Sequence, residues 1–166
     1  MHIDDDHKYH GAALIQIAED PRFTAINSMM LGRRVCRNAY RINDSIAVYL
    51  KYASKPNKSH REYVFTFHKS HLAELKQIDE KANSTFLALV CVEARQICAL
   101  TYGELTRLVA RRKKAKGSVE DQYVLLVTAE TRQQLRVYVN DPGTRNTMLG
   151  NPIVVPRNAF PSKVFS

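Results

Sequence analysis

Tryptophan is missing altogether and cysteine is scarce, with three residues in 166. Cys36, Cys91 and Cys98 form an odd set without a C-x-x-C, which excludes a disulfide framework and a cysteine-built zinc site. Cys91 and Cys98 fall in apolar stretches, where a free thiol behaves as a small hydrophobe. Cys36 has four arginines nearby that would favour a thiolate, but no histidine is identified as its partner, so it reads as a plain half-buried residue. No apolar run approaches the ~20 residues of a membrane helix, so no membrane partner is expected. Asp4, Asp5 and Asp6 stand where a secretory leader carries cations, and no apolar stretch comes after them, so a cytoplasmic location is the expectation. There is no G-x-S-x-G elbow and no glycine-rich phosphate loop. His7 and His10 are spaced H-x-x-H, as are His68 and His71, but no cysteine or acid completes either pair to the three or four ligands zinc needs. No bound metal or cofactor is expected. Linkers, repeats and low-complexity segments are also lacking, which leaves one domain over residues 1–166, with 1–8 read as a mobile tail.

What remains is an ordinary globular chain organised around Ser84 to Arg112. Phe86 to Val92 is apolar without a break, as in a strand covered on both faces. Ile97 to Leu100 is a second strand, and Thr101 with Glu104 three residues on is a capping box opening a helix over 102–112. Alternating apolar residues predict further strands near 46–52, 62–67, 122–128 and 134–139, with a short terminal one at 153–155. Apolar residues at helical spacing predict helices over 9–19 and 70–82, the latter capped by Ser70. Phe23 to Leu31 reads as a short helix and Arg33 to Arg41 as an extended segment. The fold class is α+β: a single domain with a mixed or mostly antiparallel sheet of about six strands and three main helices. Leu14, Ile17, Val48, Leu50, Phe65, Leu75, Leu87, Leu89 and Leu105 are the expected core, with Phe160 and Phe165 pinning the tail.

Acidic residues are outnumbered, 16 against 25 Lys and Arg, for a formal charge of +9. The cations come in three groups: Arg33, Arg34, Arg37 and Arg41; Lys55, Lys58 and Arg61; and Arg111, Arg112, Lys113, Lys114 and Lys116. Such density can neutralise phosphates by releasing condensed counterions. Tyr40, Tyr49 and Tyr52 lie near the first two groups as stacking partners for exposed bases. The leading expectation is therefore a basic module that binds DNA or RNA without catalysis of its own. An acidic protein partner, steered by the same charge, is a further alternative. Solvated surface charge is the plain alternative to each group, unless the groups converge.

Four residues support a different chemistry. Asp44 precedes the strand that ends at Lys51, Glu62 opens the next strand, and Glu19 ends the first helix. The order helix, strand, strand, strand, helix, strand from Tyr9 to Val92 resembles the core of the restriction-endonuclease-like nucleases. That family sets an Asp and an E-x-K triplet on adjacent strands to hold Mg²⁺ or Mn²⁺ and position water. The resemblance implies a metal-dependent nuclease, with Glu19, Asp44 and Glu62 as ligands and Lys51 as the water-positioning cation. The chain's E-x-K, Glu74-Leu75-Lys76, falls on a predicted helix.

Overall fold

A computed structural model describes all 166 residues. The chain is α+β. In chain order it forms α1 (Asp5–Glu19), β1 (Ile26–Leu31), β2 (Arg34–Ile42), β3 (Ile46–Ala53), β4 (Glu62–His68), α2 (Lys69–Lys81), β5 (Ser84–Cys91) and β6 (Gln96–Thr101). It continues with α3 (Tyr102–Lys116), β7 (Gln122–Thr128), β8 (Leu135–Tyr138), β9 (Ile153–Val155) and a 3₁₀ turn at Ser162–Phe165.

The strands divide into two sheets, where the sequence suggested one. The first has the order β1-β2-β3-β5-β6, and the second β4-β7-β8-β9. Only β3 and β5 pair in parallel, Ile46 opposite Ser84 through Ala53 opposite Cys91. A parallel pair needs a long crossover. Here β4 and α2 supply it, and β4 leaves the first sheet to pair antiparallel with β7 in the second. Side-chain alternation along β5 then explains its unbroken apolar run. Leu87, Leu89 and Cys91 enter a core of 26 residues shared with α2, α3 and the second sheet. Phe86, Ala88 and Val90 enter a second core of 12 residues under α1 and the C-terminal tail. In β3, Ala47 and Tyr49 face the first core, and Val48 and Leu50 the second. The expected core residues are all buried except Leu14, which packs half-buried at the edge of the second core. Phe160 is buried and Phe165 packs beside it, so the tail is pinned as expected.

Three local expectations change. Residues 23–31 do not form a helix: Ile26–Leu31 is the edge strand β1, joined to β2 by the two-residue turn Gly32-Arg33. Gly32 sits at φ +65°, which a two-residue hairpin turn demands at its first central position. The N-terminal residues are not a free tail from Asp5 onward, because α1 begins there. Asp4 caps it, accepting from the His7 N–H at 2.9 Å while His7 Nδ1 accepts from the Asp4 N–H at 3.1 Å. The three aspartates thus sit where the helix dipole favours negative charge. Finally, α2 begins at Lys69, with His68 rather than Ser70 in the cap position. Its first turn is closed by the His68 N–H donating to His71 Nδ1 at 3.2 Å.

Candidate nucleic-acid interface

Helix α3 continues directly from β6, and its start is the capping box read from the sequence. Thr101 Oγ1 accepts from the Glu104 N–H at 3.0 Å, and Glu104 Oε1 accepts from the Thr101 N–H at 2.9 Å. Lys163 Nζ joins Glu104 at 3.0 Å, and together these contacts hold the Glu104 carboxyl below its usual pKa against the opposing effect of burial. The helix runs on to Lys116 and ends at Gly117, whose φ of +77° provides the left-handed cap. Lys113, Lys114 and Lys116 are therefore helical and stand in the last turn, where cations suit the dipole.

The five cations of this run have two different fates. Arg111 Nη1 donates to the carbonyls of Leu149 and Asn151, at 3.3 and 2.8 Å, and so holds the loop before β9. Arg112 makes a two-pronged bond to Glu120, at 2.8 and 3.0 Å, and a third to the Asn140 carbonyl at 2.7 Å. Both arginines are half-buried and fully occupied in holding the fold. Lys113, Lys114 and Lys116 are exposed and have no acidic partner within 4.0 Å. Across an open groove, Lys76 of α2 faces Lys113, and no acid lines that groove. Its floor is Leu72, Leu75, Leu105 and Val109. Lys76 was not among the expected residues. Its spacing of seven from Lys69 puts both on one stripe of α2, a signal that acquires meaning only once α2 and α3 lie side by side.

The arginine group of β2 reaches the same helix. Arg34 pairs with Glu74 of α2 at 3.1 Å, and Cys36 Sγ donates to that carboxylate at 3.0 Å. Burial, and then the Glu74 contact, push the Cys36 thiol up to about 11, so the thiol is a packing group, not a nucleophile. Arg33, Arg37 and Arg41 are exposed, with no ion pair. Lys55, Lys58 and Arg61 lie exposed on the β3–β4 loop, which Asn57 ties to Glu62 of β4 and not to α2 or α3. Of the tyrosines, Tyr49 is fully buried and cannot stack on a base. Tyr52 is taken up by Tyr9, with ring centres 4.8 Å apart. Tyr40 is half-buried against the second core.

The four residues of the nuclease expectation fall on four different elements or turns. Glu19 is exposed at the end of α1, and Asp44 is exposed in the β2–β3 turn. Glu62 is buried at the start of β4, where it accepts hydrogen bonds from Tyr138 and from Asn57. Lys51 is half-buried on β3 and donates to the Thr66 carbonyl at 2.7 Å. Glu74 and Lys76 of the E-x-K are on α2, as the sequence suggested. No group of three or more His, Cys, Asp or Glu side chains is placed to hold a metal ion. No helix is long and apolar enough to cross a membrane. Compared with family models, curated proteins and solved structures, the chain matches none.

Proposed function

We propose that the chain is a nucleic-acid-binding module that grips the phosphate backbone through the α2–α3 face. The observation that carries this reading is the set of Lys113, Lys114 and Lys116, free of acidic partners within 4.0 Å at the end of α3, with Lys113 lining one groove together with Lys76 of α2. Arg33 extends the face, because Arg34 beside it pairs with Glu74 of α2. The arrangement offers charge without a base-reading element, so affinity comes from phosphate contacts and sequence preference is weak. Fluorescence anisotropy with labelled single- and double-stranded DNA and RNA, at low and at near-physiological salt, tests it. Binding at low salt that weakens steeply with added salt is the expected result. No binding at low salt removes the reading and leaves an acidic protein as the partner of the same face.

A second reading has one observation in its favour. Along the first sheet the chain runs helix, three strands, helix, strand, with β1 in place of the expected strand at 62–67, because β4, which carries Glu62, departs to the second sheet. A degenerate, metal-dependent nuclease of restriction-endonuclease-like fold is consistent with that order. Its test is cleavage of plasmid or single strands with Mg²⁺ or Mn²⁺, repeated with Asp44→Ala and Glu62→Ala. Activity unchanged by both substitutions dismisses the carboxylate assignment.

A further inference from the structure

Two clefts share one histidine of α1 and lie beside β3, apart from the lysines of the α2–α3 groove. α1 presents Asp6 and His10, four residues apart and so on one helical face. The inner cleft, about 210 Å³, is lined by Asp6, His10, Asn38, Lys51, Tyr52 and Thr66, among others. The outer cleft, about 390 Å³, shares Asp6 and His10 and adds Asp4, His7, Arg37 and Tyr40, among others. None of Lys76, Lys113, Lys114 and Lys116 lines either cleft.

Two groups of the inner cleft lack an acidic partner within 4.0 Å. His10 is only 8 % exposed, yet its ring makes no hydrogen bond to the protein and meets Tyr52 edge-on at 5.6 Å. Lys51 Nζ donates to the Thr66 carbonyl and lies 4.9 Å from the centre of the Phe67 ring, but no carboxylate is within 4.0 Å of it. An ammonium has three donors, and here one is used within the protein. Drawing a cation half out of water without a counter-charge opposes folding. Burial accordingly lowers the pKa of Lys51. The remaining donors of Lys51 are open to an anion that enters the cleft. The group that matches an unsatisfied ammonium, a free imidazole and the Asn38 amide in one small cavity is an anion rich in acceptors. The inner volume is below the ~300–1,000 Å³ of sites for drug-sized ligands, which suits a head group with its remainder lying outside. Asp6 lines both clefts and Asp4 the outer one, and a carboxylate only accepts, so the part of the ligand in the outer cleft carries hydroxyl donors.

We infer that this double cleft binds a sugar phosphate monoester. Lys51 neutralises the phosphate, His10 and Asn38 donate hydrogen bonds to it, and the sugar lies toward Asp6, Arg37 and Tyr40. The same chemical group occurs on a free sugar phosphate or nucleotide and on the phosphorylated end of a nucleic-acid strand. The inference stands apart from the lysine face, and either can fail without the other.

Thermal unfolding of the full chain tests it with ribose 5-phosphate, with ribose, and with oligonucleotides carrying or lacking a 5′-phosphate. At about 100-fold over Kd, ribose 5-phosphate is expected to raise Tm by about 5–10 °C, with no rise from ribose. A rise with the free sugar phosphate assigns the free ligand. A rise only in the difference between the phosphorylated and unphosphorylated strands assigns the strand end. Lys51→Met keeps the apolar stem on Phe67 and removes the unpaired charge, so its own Tm should be no lower than wild type and its ligand-induced rise should vanish. His10→Gln should weaken binding about tenfold. Should Lys51→Met not fold, the His10 ring signals in the wild-type NMR spectrum decide, since bound ribose 5-phosphate must shift them. Unmoved His10 signals, a rise that persists in Lys51→Met, or no rise from any phosphate ester overturns the inference.

Discussion

Glu62 was a candidate metal ligand by position, and its surroundings give it another task. Buried at the start of β4, it accepts from Tyr138 of β8 and from Asn57 of the preceding loop, joining β4 to β8 across β7. Burial and the carboxylate together hold the Tyr138 phenol well above its usual pKa. Glu62→Ala leaves that phenol buried with its partner gone, at an expected cost of about 1–3 kcal/mol in urea denaturation. A change under about 0.5 kcal/mol contradicts the structural role. The same reasoning separates neighbours on α3. Arg112→Ala strands Glu120 and the Asn140 carbonyl and should cost about 1–3 kcal/mol, whereas exposed Lys114→Ala should stay within about 0.5 kcal/mol. Histidines govern the mild-acid behaviour. Burial chiefly, with Lys51 adding to it, lowers the pKa of His10 and His71 from the ordinary 6.5. The unfolded chain therefore takes up protons first as pH falls, so stability is complete above about 6.5 and declines below it. Denaturation midpoints measured across that window should fall with pH, and His10→Gln should flatten the fall.

At the scale of elements, the cap of α3 is the clearest test. Thr101→Ala should destabilise the fold by about 1 kcal/mol, with Thr101→Ser close to neutral, both read from chemical denaturation. That cap was legible because a capping box is local: four residues contain both of its bonds. The two-faced burial of β5 was legible for the same reason, since an unbroken apolar run needs cover on each side. Strand β1 was not. Its register shifts between Ser28 and Met29, and the irregularity breaks the alternation by which a strand is read. Nor could the split into two sheets be read, because β4 pairs with β7, and that choice depends on residues some sixty positions away. The site divides along the same line. The lysines of α3 announce themselves as a run. The diversion of Arg111 and Arg112 to structural bonds depends on Asn140, Leu149 and Asn151, which no local pattern links to them. The significance of Lys76 likewise emerges only when α2 and α3 lie side by side.

Over the whole molecule, a formal charge of +9 on 166 residues raises association with any polyanion, so binding alone does not locate an interface. Location requires that removing particular charges changes the number of counterions released. Lys113, Lys114 and Lys116 make no side-chain hydrogen bond or ion pair, and replacing them together loses only the helix-end charge and the Lys113 contact with the Tyr123 ring at 5.7 Å, a cost the fold can bear. The decisive measurement is the slope of log K against log salt for a labelled single strand, in wild type and in the Lys113→Ala, Lys114→Ala, Lys116→Ala triple variant. Each lost phosphate contact lowers the slope by about 0.7, so a fall of about 2 is expected with the fold retained. A triple variant that folds normally and keeps the wild-type slope would place the phosphate contacts elsewhere and contradict the α2–α3 interface.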